Sequence, residues 1–199
     1  FHTVCGIPSI LAGILTQLAL YSVNLRIMGQ SNQPVSSREY DLLVNQQNVS
    51  VVSLENPIFI SAVFVALIIA LLYWFFGTEL GASLRATGSN PNMSRAQGIN
   101  TSFTTVLGLM ISNGLVALSS ALLAQYQGFA DVNMGRGAIV IGLAAVIIGE
   151  VIFGKLFRNF ALKLFAVAIG SILYYLVCQV VIWLGLNTND MQLITALIV

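Results

Sequence analysis

The sequence predicts an all-α, polytopic transmembrane helical bundle, and three observations carry that expectation. Apolar residues make up 57% of the 199 residues and charged residues only 8%, against roughly a quarter charged in a soluble domain. Mean hydropathy is +0.90. The apolar residues also fall into blocks of about 20, the length at which a helix rising about 1.5 Å per residue crosses about 30 Å of hydrocarbon. Such a chain has too few polar side chains to cover a water-facing surface, so the expected solvent is lipid.

Five stretches are long enough to span: residues 7–28, 57–76, 101–124, 137–153 and 160–186, with 191–199 beginning a sixth. The chain opens on Phe1-His2-Thr3-Val4, without an initiator Met or a signal-peptide charge pattern, and Val199 falls inside an apolar run. A single transmembrane domain, residues 1–199, partial and truncated at both ends, is therefore expected. Residues 29–56 hold Arg38, Glu39, Asp41 and several Asn and Gln, and should form a loop outside the bilayer. Within it, 44–54 alternates weakly, fitting either a hairpin strand or plain extended chain.

Basic residues orient the bundle. Arg85 and Arg95 lie between the second and third stretches, and Lys155, Arg158 and Lys163 between the fourth and fifth. Alternating helices put both loops on one side, which the positive-inside bias makes cytoplasmic. The other side receives 29–56, 126–136 and 187–190, with Arg38 and Arg136 mixed among Glu39, Asp41, Glu55, Asp131 and Asp190. The later helices are rich in small residues, among them Gly108, Gly114, Ala117, Ala121, Gly142, Gly149 and Gly170. These suit close helix packing, or alternatively flexibility in a moving helix.

Residues 81–100, between the second and third stretches, carry the most specific local chemistry. Leu84-Arg85-Ala86 finishes the second helix, and Gly88 suits the left-handed residue that ends one. Asn90 caps a new helix that begins at Pro91, where a missing N–H costs nothing, and Gly98 closes it. The product is a short helix over 91–97, marginal by itself, that needs the ends of membrane helices or a partner to hold it.

Arg85-Ala-Thr-Gly-Ser-Asn-Pro91, followed by Arg95-Ala-Gln-Gly-Ile-Asn100, resembles the cytoplasmic coupling segment of permeases in the branched-chain amino acid and ribose-type ABC importer superfamily. The nearest branch by resemblance is the tryptophan/tyrosine-type ABC permeases. Gly6-Ile-Pro-Ser-Ile-Leu-Ala-Gly-Ile-Leu-Thr16, Leu20-Tyr-Ser-Val-Asn-Leu-Arg-Ile-Met-Gly29 and Gly137-Ala-Ile-Val-Ile-Gly-Leu-Ala-Ala-Val-Ile-Ile-Gly149 extend the likeness. Ribose-type relatives have a second glycine where this chain has Glu150.

The resemblance implies a multi-pass permease subunit of the bacterial cytoplasmic membrane. A second permease copy would complete the pathway, cytoplasmic ATP-binding subunits would dock on the short helices, and an extracytoplasmic solute-binding protein would deliver an amino acid or similar solute. By the same resemblance Arg85, Ala86, Gly88, Asn90, Pro91, Asn92, Ser94, Arg95, Ala96 and Gly98 shape or present the docking segment. No cofactor is expected in this chain; ATP and magnesium would sit on the partner ATPase.

Other residues keep two readings. Gln17, Asn24, Ser112 and Asn113 can bond to neighbouring helices or line a solute path. Glu150, the acidic residue inside a predicted span, suits an interfacial ion pair with Lys155 or Arg158, or a gating role. Cys5 and Cys178 lack metal-ligand or redox spacing and read as small buried hydrophobes. A net charge of +1 gives no field to attract nucleic acid. The sequence holds no GxxxxGK[ST], HExxH or GxSxG pattern, so enzymatic activity is not expected of this chain. An ion-coupled secondary transporter or channel is the competing class.

Overall fold

The computed structural model describes residues 5–35, 42–44, 56–135, 138–154 and 159–183. Among them are seven helices and one two-stranded sheet: α1 (Ser9–Met28), β1 (Asn32–Pro34), α2 (Pro57–Gly77), α3 (Glu79–Ser89), α4 (Pro91–Ala96), α5 (Thr101–Gln127), β2 (Phe129–Asp131), α6 (Ala138–Phe153) and α7 (Phe160–Trp183). Helices α1, α2, α5 and α7 are long and apolar enough to cross a membrane. The fourth expected span is shorter: α6 has 16 residues, about 24 Å at 1.5 Å per residue, less than the hydrocarbon thickness. The expected sixth span and 45–54 lie outside the described residues.

Local chemistry sets the helix ends. Asn56 Oδ1 accepts from the Ile58 N–H at 3.0 Å, with Pro57 at the first helical position of α2, and Asn100 Oδ1 accepts from the Phe103 N–H at 3.2 Å to start α5. Gly29 and Gly128 end α1 and α5 in the left-handed region, φ 73° and 74°, where a Cβ would be strained. None of the spanning window of α2 is buried. An apolar helix left open in this way is the expected state where lipid, not protein, surrounds it.

The chain divides into two compact units: Phe1–Phe64 with Trp74–Asn133, and Val65–Tyr73 with Met134–Val199. In the first, α3 and α4 lie at the N-terminal end of α5 and the sheet lies at its C-terminal end. With 27 residues, α5 is about 40 Å long at 1.5 Å per residue, so the two features stand at opposite ends of a membrane-length helix. β1 and β2 pair antiparallel, Gln33 opposite Ala130. Val35 N–H to Gly128 O (2.8 Å) and Val132 N–H to Ser31 O (3.0 Å) extend the ladder, and the Leu43 N–H donates to Gln125 Oε1 at 3.2 Å. The segment after α1 is thereby tied to the loop after α5.

In the second unit α6 and α7 form an antiparallel hairpin around Ala144, Tyr174 and Cys178, with Ile141 and Ile148 packed on them. Its close approach is made by glycines. A Cβ on Gly170 would strike the Ala145 carbonyl oxygen and stand 2.7 Å from the Gly149 nitrogen, and one on Gly149 would lie 2.5 Å from the Ala166 carbonyl oxygen. Gly142 and Gly114 meet nothing within 4 Å, and Ala117 and Ala121 are exposed. Cys178 is buried as expected, whereas Cys5 is exposed.

Candidate functional site: the elbow between two membrane helices

Between α2 and α5 the chain makes a two-helix elbow, α3 then α4. The sequence predicts a second helix that runs through Ala86 and a left-handed residue at Gly88. The structure breaks the helix earlier, at Thr78, and Gly88 is an ordinary helical residue inside α3. Thr78 is extended (φ −78°, ψ 164°) and its Oγ1 accepts from the Gly81 N–H at 3.3 Å while donating to Phe75 O at 2.6 Å. Gly81 then lies so close to Phe75 and Phe76 that a Cβ would stand 2.5 Å from the Phe76 Cα. Thr78 followed by Glu79 was the available signal: an N-cap residue with an acid in the first turn.

Arg85 reaches back over this joint, its Nη2 donating to Phe76 O at 3.1 Å. That carbonyl belongs to the last turn of α2, where helical partners run out. Buried Gly81 and Thr87, with half-buried Leu84 between them, recur every three residues, so one face of α3 is turned inward. On it Thr87 Oγ1 meets Thr104 Oγ1 at 3.0 Å, with both residues buried. Arg85, Ala86 and Gly88 lie on the exposed side.

Asn90 separates α3 from α4 and serves both. Its N–H donates to Ala86 O at 2.9 Å, and its Oδ1 accepts from the N–H groups of Asn92 and Met93, each at 3.1 Å. Pro91 takes the first position of α4. Gly98, at φ 83°, closes the helix: the Gly98 N–H donates to Arg95 O and the Ile99 N–H to Ser94 O, both at 3.0 Å. That pair of bonds is a Schellman closure. Arg95 Nε donates to Thr101 Oγ1 at 2.8 Å, linking α4 to the first residue of α5.

The elbow residues divide by the direction they face. Ser94 is 2% exposed, its Oγ donating to Asn90 O at 3.0 Å, so it belongs to the inner side. Asn92, Met93 and Ala96 are exposed, Met93 at 59%. Met93, outside the set that the resemblance implies, adds an apolar, adaptable side chain to this exposed face.

Elsewhere, Gln17 and Asn24 are exposed on α1, and Ser112 and Asn113 on α5. Asn113 Nδ2 donates to Leu109 O of its own helix at 2.8 Å. Glu150 is exposed on α6 and lines a recess of about 150 Å³ whose α7 wall carries Lys163. Lys155 and Arg158, its expected ion-pair partners, lie outside the described residues.

Residues 3–199 match the family described as branched-chain amino acid transport system / permease component. The chain belongs to that family. With four spanning-length helices among the described residues, it is a multi-pass membrane protein. It is 41% identical over 198 residues to the tyrosine transport system permease protein of Clostridioides difficile, covering 100% of this chain and 63% of that protein. It is 36% identical over 197 residues to an uncharacterized protein of Rickettsia prowazekii, covering 96% and 67%. The D-allose transport system permease protein of Escherichia coli is 30% identical over 132 residues, 65% of this chain and 39% of that protein. The permease component thus spans 63% and 67% of the length of the first two relatives. No solved structure gives a significant match.

Proposed function

We propose that this chain is the larger part of a membrane-embedded permease subunit in an ATP-driven importer, with the elbow as the docking point for a separate cytoplasmic ATPase. The observation that carries this reading is α4: six residues, too short to persist alone, yet capped at both ends and bonded to α5. Its outer residues are left open. A helix so braced against a membrane helix suits a handle on which another protein pulls.

In this reading Asn92, Met93 and Ala96 form the contact surface, and Asn90, Pro91 and Gly98 shape it. Arg85, Ala86 and Gly88 form the outer side of the supporting α3. The elbow side is cytoplasmic, as the Arg85 and Arg95 charges favour, and the β1–β2 side with residues 29–56 is extracytoplasmic. A second permease copy completes the pathway, a solute-binding protein supplies the solute, and ATP with magnesium is handled by the ATPase alone. An amino acid of the tyrosine class is the proposed solute, supported by the 41% identity to the tyrosine permease. Gln17, Asn24, Ser112 and Asn113 are proposed for the solute path.

Uptake by proteoliposomes tests the class. The full-length permease with its ATPase and binding protein should accumulate labelled tyrosine only with ATP inside. Uptake by the permease alone, driven by an imposed ion gradient, would contradict the reading and favour a secondary transporter.

A further inference from the structure

The polar contacts inside the elbow converge on one stripe of α5. Arg95 Nε reaches Thr101 Oγ1 at 2.8 Å from the last turn of α4. Thr87 Oγ1 of α3 meets Thr104 Oγ1 at 3.0 Å in a buried contact. Leu84 Cδ1 of α3 packs against Gly108, 3.4 Å from where a Cβ would stand. Positions 101, 104 and 108 follow the three- and four-residue spacing of one helix face, so both helices of the elbow bear on the same side of α5.

We propose that Arg95 and the Thr87–Thr104 pair are positioning residues that lock the elbow to α5, so that a displacement imposed on Asn92 and Met93 is delivered to that helix. This rests on the ATPase-docking reading above. The resemblance places Arg95 among the residues that shape or present the docking segment, and its hydrogen bond to Thr101 gives that shaping a definite form. A helix as short as α4 would absorb an applied motion by bending at its ends. The guanidinium is a planar group whose Nε–H direction is fixed by the side chain, so a bond to Thr101 constrains angle as well as distance. Thr87 and Thr104 supply a second fixed point on α3, away from water, where a lost hydroxyl partner is costly. Two bonded points and one packed point prevent the elbow from rolling on α5.

The test reads motion of α5 rather than solute, so it does not depend on which solute is carried. A single cysteine is placed at Ser119, exposed on α5, in a cysteine-free full-length permease assembled with its ATPase in lipid vesicles. Maleimide labelling rates are then measured with and without ATP, together with ATPase retention and hydrolysis. Wild type should show an ATP-dependent rate change. Arg95→Ala and Thr101→Val should each lose that change while keeping the ATPase bound and hydrolysing. The double variant should be no worse than either single one, because both remove one interaction, and Thr101→Ser should behave as wild type.

An ATP response preserved in Arg95→Ala would overturn the proposal. So would loss of the ATPase from Arg95→Ala but not from Thr101→Val, which would make Arg95 a docking contact. If Arg95→Ala fails to reach the membrane, Thr101→Val against Thr101→Ser decides by the same readout. Failure of the wild-type permease to retain its ATPase would instead overturn the docking reading, and the lock with it, before any elbow residue is changed.

Discussion

The elbow and the α6–α7 hairpin are both held tightly, but by opposite chemistry. In the elbow, hydroxyls, an amide and two guanidinium groups bond to backbone ends and to each other through Thr78, Arg85, Thr87, Asn90, Arg95 and Thr104. In the hairpin, glycine faces backbone: Gly149 against Ala166, and Gly170 against Ala145 and Gly149. Lipid gives little hydrophobic reward for bringing two helices together, so close van der Waals packing of small residues has to do it. At a helix end, free N–H and C=O groups have to be satisfied, so caps and side-chain bonds do it. Packing of small residues fixes how closely two helices approach, whereas directional bonds also fix an angle. That contrast is why the elbow, and not the hairpin, suits the transmission of force.

Gly170→Val inserts a branched side chain into the Ala145 and Gly149 backbone, and should destabilise the hairpin by about 3 kcal/mol, the upper range for overpacking. Reversible unfolding in bicelles would measure it, with Gly142→Ala as a control that meets open space and should change by less than about 1 kcal/mol. A Gly170→Val protein as stable as wild type would show that the seam is loose. Next in size, Gly81→Ala should force α3 away from Phe75 and Phe76 at a cost of about 1–3 kcal/mol. Membrane insertion should survive while ATPase retention falls, and unchanged retention would show that the α2–α3 joint does not place the elbow.

Cap loss should be smaller. Asn90→Ala removes the acceptor for two N–H groups and should cost about 1 kcal/mol, read as roughly fivefold faster hydrogen exchange at Asn92 and Met93, with Asn90→Asp restoring protection. Equal exchange in all three proteins would mean that α4 is held by its contacts with α5 and not by its cap. Smallest is Glu150→Gln, at an exposed position, with a stability change within about 0.5 kcal/mol. A larger loss would give the hairpin a polar anchor like those of the elbow and blur the distinction.

Much of the elbow was legible because its signals are local. Asn90-Pro91 marks a helix start and Gly98 a helix stop within eight residues of each other, and the structure has a helix between them that ends one residue sooner than expected. Asn56-Pro57 marks the start of α2 in the same way. Gly88 misled because a glycine inside a helix and one that ends it look alike in sequence; the N-cap at Thr78 and the inward face of Thr87 decide the matter. Contacts between distant positions were not legible. Nothing in residues 32–34 announces a strand, since its partner lies about a hundred residues away at 129–131. Among many small residues, pairing in space singles out Gly149 and Gly170. Ser94, grouped by resemblance with the docking segment, is turned inward by the fold of α4.

On the reading proposed above, an ATPase seats on the outer face of α4. Single cysteines at Asn92, Met93 and Ser94 of the full-length permease, assembled with its ATPase and treated with a short crosslinker, test it most directly. The expected result is ATP-sensitive crosslinking from the exposed Asn92 and Met93 positions, with little from the buried Ser94. No crosslink from either exposed position in an assembled, hydrolysing complex would contradict it.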